Sequence, residues 1–259
     1  MMRSAQGRNI TYGLVEALGQ SIVGGRYAVD HPFSTEAELA HQYGASRSVT
    51  REAVKMLAAK GLLSARPRQG TFVQPEPYWN LLDPDVLRWL LERKFSLKLL
   101  RDFTEVRLAI EPTAAALAAK RADAEGLAGI RRGIERMQAA AKGEDDHLAA
   151  DIAFHVAILN ATGNAFYIQL HELVNTALRI SIYFTNSLKG VRQASIPGHE
   201  SVFNAILARD PSGASAAMNT LLLEVMELID RAAETHEPLE KHSADEANPF
   251  MQTPPPPQP

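Results

Sequence analysis

The chain has 259 residues, 46% hydrophobic and 22% charged, with a net charge of −3 and no cysteine. That length accommodates two modest domains or one large one, and the missing thiols exclude disulfides and thiolate metal sites, leaving His, Asp, Glu or water to hold any metal. No run of eighteen apolar residues occurs, and MMRSAQGRNITYG has no leader-like apolar stretch, so a cytoplasmic protein with no membrane partner is expected.

The charge is unevenly spread. Residues 1–76 hold nine Lys/Arg against six Asp/Glu, whereas the remainder holds eighteen against twenty-four. A mildly basic N-terminal part fits a nucleic-acid module, and it also fits ordinary surface variation.

In chain order, Ile10, Leu14, Leu18 and Ile22 recur every four residues until Gly24-Gly25, which predicts a first helix of roughly four turns. Two helical segments follow, Thr35 to Tyr43 and Ser46 to Lys60, joined at Gly44-Ala45. Ser34 or Thr35 is the candidate cap of the first, Ser46 opens the second, and the pair forms a helix-turn-helix pattern. LLSARPRQGTFVQ then alternates apolar and polar positions around Arg68-Gln69-Gly70, which predicts a two-stranded wing with a basic tip. An ordered linker, residues 77–95, is expected to carry a short helix capped by Asp83 or Asp85, with Val86, Leu87, Trp89 and Leu90 on its apolar face. Beyond it only helical periodicity is found, over 97–121, 123–142, 146–161, 164–188, 197–208 and 211–236. The expected architecture is therefore mainly α: a winged helix-turn-helix over 10–76 and an all-helical bundle over 96–236. Residues 237–259 end in TPPPPQP, a composition that predicts a disordered tail.

The second helix of the pair reads as a reader of the major groove. Ser46, Arg47, Ser48 and Arg51 lie in its first two turns, while Val49, Ala53, Val54 and Leu57 can pack inward. A guanidinium offers paired donors to guanine O6 and N7, so Arg47 and Arg51 are the candidates for base contacts. Arg68 and Gly70 are the wing candidates.

TEAELAHQYGASRSVTREAVKMLAAKGLL with PRQGTFV resembles the DNA-binding domain of the GntR family of bacterial regulators. EVRLAIEP, DIAFHVAILNATGN and HESVFNAI look like the effector domain of that family's fatty-acid-regulator (FCD) branch, and the match spans residues 10–236. Within the branch, the linker WNLLDPDVLRWLLE is similar to that of galactonate operon repressors. The resemblance implies a repressor that binds operator DNA and is released by a small acidic metabolite, a sugar acid above all; a homodimer is expected because one recognition helix reads too few base pairs. Two departures stand out. Ala37 occupies a position where many relatives carry an arginine that helps contact the operator, and the wing has Gly70 alone beside Gln69.

Asp151 and His155, four residues apart, project from one helix face and can chelate a divalent cation; such a pair is also commonly a hydrogen-bonded helix surface. The resemblance carries the role of third ligand onto His199 and places Leu221 where relatives have a further histidine. Zinc, nickel or manganese is the implied metal. Arg107, Arg179 and Tyr183 are candidates for effector binding. Arg107 can clamp a ligand carboxylate or pair with Glu111 one turn on, while Arg179 and Tyr183 share a face that lines either a cavity or the core edge. A competing reading makes Asp151, His155 and His199 the centre of a metal-dependent hydrolase, although no nucleophile motif accompanies them. A third reading is an architectural DNA-binding protein without a ligand.

Overall fold

A computed structural model describes residues 2–93, 97–176, 178, 179, 181 and 195–234, with side chains in the first segment from Ile10 onward. The first helix, α1 (Met2–Val23), begins two turns earlier than the apolar repeat predicts. Leu14, Leu18 and Ile22 are buried whereas Ile10 is half exposed. A strict spacing of four drifts around a helix of 3.6 residues per turn, so the end of such a row leaves the buried face; Val15 and Val23 complete it.

Thr35 caps α2 (Glu36–Gln42) through a reciprocal capping box with Glu38. Gly44 turns the chain with φ near +60°, a conformation that costs other residues energy. Ser46 then caps α3 (Arg47–Ala59) by accepting from the Val49 amide. Thr50, buried, donates to the Glu36 carbonyl at 3.2 Å and so ties the two helices. Strands β1 (Leu63–Arg66) and β2 (Gly70–Val73) pair antiparallel, with Leu63 opposite Val73 and Arg66 opposite Gly70. Residues 30–33 run along β2, where the Phe33 amide donates to the Thr71 carbonyl at 2.7 Å.

The linker is built into this body. Gly61 has φ +77°, and a Cβ there would meet the Tyr78 carbonyl at 2.3 Å, so both backbone and space require glycine. Asp83 accepts from the amides of Asp85 and Val86 and opens α4 (Pro84–Arg93). Lys60 joins the Asp83 and Asp85 carboxylates at 2.8 Å. Arg88 grips Glu16 on α1 with two bonds of 2.8 and 2.7 Å, and the Trp89 indole donates to Glu16. Val86, Trp89 and Leu90 complete the core of the winged helix. Leu87 and Leu91 point the other way and form a separate small cluster with Leu173, against which Phe103 and Leu170 pack. One short helix thus has a face in each half of the molecule.

The C-terminal half consists of α5 (Leu97–Arg121), α6 (Ala124–Ala141), α7 (His147–Ala161), α8 (Ala165–Gln169), a helical stretch within 171–181, α9 (Ile196–Leu207) and α10 (Pro211–Glu234). Asp123, Asp146, Asn164 and Ser195 cap four of these. The expected single helix over 164–188 is instead divided after Gln169. Leu170 closes α8 and a new helical stretch begins at residue 171; YIQLHELV contains no glycine or proline to signal the break. α5 packs along α10 and α6 along α7, around a core that includes Met137, Phe154, Ile158, Val202 and Leu222. Among the described residues no helix is long and apolar enough to cross a membrane. Tyr183 and residues 237–259, for which a disordered tail was expected, lie outside the described residues.

Candidate DNA-reading surface and buried metal centre

The start of α3 presents a polar, accessible surface. Ser46, Arg47, Ser48 and Arg51 are all exposed, while Ala53 and Leu57 are fully buried and Val49 and Val54 pack at the edge of the core. The Ser46 and Ser48 hydroxyls lie 2.9 Å apart. Arg51 reaches across to Glu36 on α2, its Nε donating to both carboxylate oxygens at 3.1 and 3.2 Å. That contact engages Nε, while the two Nη groups can supply the paired donors that guanine O6 and N7 accept. At the wing tip Arg68 sits at φ +61° and Gly70 at φ +99°, both exposed. Arg66 braces the tip by pairing with Asp30 at 2.6 Å and stacking 4.2 Å over the Phe72 ring. Sequence reasoning did not find the partners Glu36 and Asp30, which lie far along the chain from the arginines they hold.

The second site is inside the helical half. Asp151 and His155 lie one turn apart on α7, and capping at Ser195 starts α9 so that His199 falls in its first turn. All three are almost completely buried, with ligand-type atoms within 4.8 Å of one another. Asp151 Oδ1 lies 3.2 Å from His155 Nε2 and 3.3 Å from His199 Nε2. Neither approach is an aligned hydrogen bond, since Asp151 Oδ1 and His199 Nε2 have no hydrogen-bond partner.

The far sides of the two rings explain this. His199 Nδ1 lies 2.7 Å from the Ser195 carbonyl, which can only accept, so Nδ1 carries the proton and Nε2 presents its lone pair. His155 Nδ1 lies 2.6 Å from Glu111 Oε2. Burial pushes the Glu111 carboxyl up, but Arg107 and His155 outweigh it and hold the group down at about 2. The Glu111 carboxylate therefore accepts from Nδ1, and in its neutral form His155 presents its Nε2 lone pair as well. Three buried acceptors converge on one point, which is costly unless something positive stands there.

With metal–ligand bonds of about 2.1 Å, donor atoms stand about 3.0 Å apart at right angles and about 3.4 Å apart at tetrahedral angles. The observed 3.2 and 3.3 Å fall between, so the donor set fits a divalent cation. Without one, a proton must serve. Burial depresses the His155 imidazole, yet Glu111 and Asp151 raise it to about 9, and Asp151, against its burial, is held well below the usual carboxylate range by the two histidines. A carboxylate or carbonyl behind each ring is the usual support of metal-binding histidines.

Arg107 is buried beside this centre, its Nε 2.6 Å from Glu111 Oε1. Of the two partners open to Arg107, Glu111 occupies the position. Arg179, expected to line the same cavity, is exposed, because Leu178 takes the inward position and the next residue lies 100° round the helix. Leu221 is buried, and its Cδ1 would stand 2.9 Å from a Cβ placed on Gly198, next to His199. Glu111 has the largest role that sequence reasoning underrated: its spacing from Arg107 was visible, its bond to His155 was not.

Comparisons with known proteins agree with both halves. Residues 11–73 match the model of the bacterial regulatory proteins of the gntR family, and residues 102–224 match the FCD domain. The galactonate operon transcriptional repressor of Escherichia coli K12 is 34% identical, over 83% of this chain and 94% of its own length. The HTH-type transcriptional regulator LutR of Bacillus subtilis is 29% identical, over 74% of this chain and 88% of its own. A solved Streptococcus agalactiae GntR structure aligns at 25% identity, covering 84% of this chain and 99% of that one, with a TM-score of 0.47. The matched families and curated relatives are regulators, so the hydrolase reading of Asp151, His155 and His199 falls away. The chain belongs to the GntR family of bacterial transcription regulators, with an FCD domain as its second half.

Proposed function

We propose that this regulator is a homodimeric repressor of a sugar-acid catabolic operon, released from its operator when an aldonate of the galactonate type binds at a divalent cation held by Asp151, His155 and His199. Regulators of this family bind operator DNA and small-molecule effectors. The carrying observation is the convergence of three buried ligand-type atoms, with both imidazoles oriented from behind. A bound zinc, nickel or manganese ion supplies a Lewis-acidic docking point for a carboxylate and a neighbouring hydroxyl. Leu221 offers no ligand atom, which leaves such a position to water or to the effector. Arg107 contributes through Glu111, which it holds against His155. The similarity to a galactonate operon repressor supports a polyhydroxylated acid, whose many polar groups require a polar site.

On the DNA side, Arg47 and Arg51 read bases, Ser46, Ser48 and the start of α3 meet phosphate, and Arg68 and Gly70 follow the adjacent groove. One recognition helix reads few base pairs, and a two-fold dimer doubles the contact. Release requires the effector to bind the DNA-incompetent arrangement more tightly than the competent one. The helix α4, with a face in each half, is the transmitter.

The test is titration of the protein–operator complex with aldonates, dicarboxylates and acyl-CoA, with and without a metal chelator. Aldonates should dissociate the complex, and His155→Ala should abolish the response. Dissociation by another class alone would overturn the sugar-acid reading. An aldonate response that survives both His155→Ala and Arg107→Ala would place the effector elsewhere.

A further inference from the structure

We propose that Glu111 sets the charge of acid that the effector centre accepts: by cancelling Arg107 it leaves the cation-loaded centre with one net positive charge, which selects a monoanionic over a dianionic acid. The inference rests on the cation and sugar-acid reading above. Arg107, Glu111 and Asp151 are the only Arg, Lys, Asp or Glu side chains buried among the described residues, and they are buried together with the two ligand histidines. Glu111 bridges Arg107 at 2.6 Å and His155 at 2.6 Å, and His155 in turn faces Asp151 at 3.2 Å. Ligand imidazoles are neutral when they bind a metal. One arginine, two carboxylates and a divalent ion then sum to a single positive charge, and one carboxylate brings the enclosure to neutrality.

Neutrality matters here because uncompensated charge is expensive in a dry interior. A second carboxylate on the ligand would leave the enclosure negative. An exposed ion pair would be screened and would set no such limit; the burial of Glu111 at 2% accessibility is what gives its charge reach. Its place as a bridge between two other groups makes it a specificity-determining and positioning residue.

Galactonate and galactarate share a carbon skeleton and differ by one terminal carboxylate, so they read charge with little change of shape. Binding of each to Co2+-loaded full-length protein is measured by calorimetry, with the Co2+ visible absorption band reporting occupancy. Wild type should prefer galactonate by about tenfold or more. In Glu111→Gln the loaded centre carries two positive charges, and the preference should vanish or reverse. In the double variant Arg107→Gln/Glu111→Gln the charge returns to its original value, and the preference for galactonate should return with it. Should Glu111→Gln not fold, Arg107→Gln takes its place: its loaded centre is neutral, and it should bind galactonate about tenfold more weakly than the double variant. An unchanged preference in Glu111→Gln, or equal galactonate affinity in Arg107→Gln and the double variant, overturns the inference while leaving the cation site standing. Co2+ bound without affinity for either acid overturns the inference and the sugar-acid reading together. Wild-type protein that takes up no Co2+ overturns the cation reading and this inference with it.

Discussion

Leu173→Ala should uncouple effector binding from operator release. Leu173 belongs to a buried cluster of three, with Leu87 and Leu91 of α4, separate from the two larger cores. Truncating a buried leucine costs about 2–5 kcal/mol, and a small cluster at the edge of two bodies collapses easily, which favours about 2. Coupling between two sites is itself typically about 1–3 kcal/mol. The lost contact is therefore as large as the signal it would carry. Operator affinity without effector should change little, since the start of α3 is untouched. The ratio of operator affinities with and without sugar acid should fall toward one. Fluorescence anisotropy on labelled operator measures both, and calorimetry verifies that the acid still binds. A variant whose melting temperature drops while its effector ratio stays at the wild-type value would refute transmission through this contact.

Replacing Arg51 with Ala should cost about 1–3 kcal/mol of specific operator binding if its Nη edge makes a bidentate base contact; a gel-shift titration showing unchanged affinity would remove it from the reading surface. Sedimentation of the protein with operator should show two copies per site, and a strictly monomeric complex at micromolar concentration would count against the dimer. Acid stability carries a sign. The Glu111 carboxyl stands at about 2 against an ordinary 4.5, so its stabilising contribution is complete above the unfolded value and is lost as pH falls through the folded one. On the order of 3 kcal/mol is involved. Between about pH 4.5 and 2, Glu111→Gln should therefore lose stability less steeply than wild type in acid denaturation followed by circular dichroism.

Legibility followed the range of the forces involved. Local signals placed α3, the wing and α5 to within a residue or two, because caps such as Ser46, alternation in LLSARPRQGTFVQ and turns at Gly44 act over a few positions. The break at Leu170 escaped, since no residue in YIQLHELV disfavours continuation. The site divided in the same way. Asp151 and His155 were legible as a pair because helical spacing alone puts them on one face. What makes them a centre was not, because it depends on which atom of each ring carries a proton, and that is decided from behind. The Ser195 carbonyl, a main-chain atom with no residue identity, sets His199. Glu111, on another helix, sets His155. The same dependence explains why Arg107 stayed open between a ligand carboxylate and Glu111: helical spacing permits the pair, but only the packed structure puts one Glu111 oxygen on Arg107 and the other on His155, from a different helix.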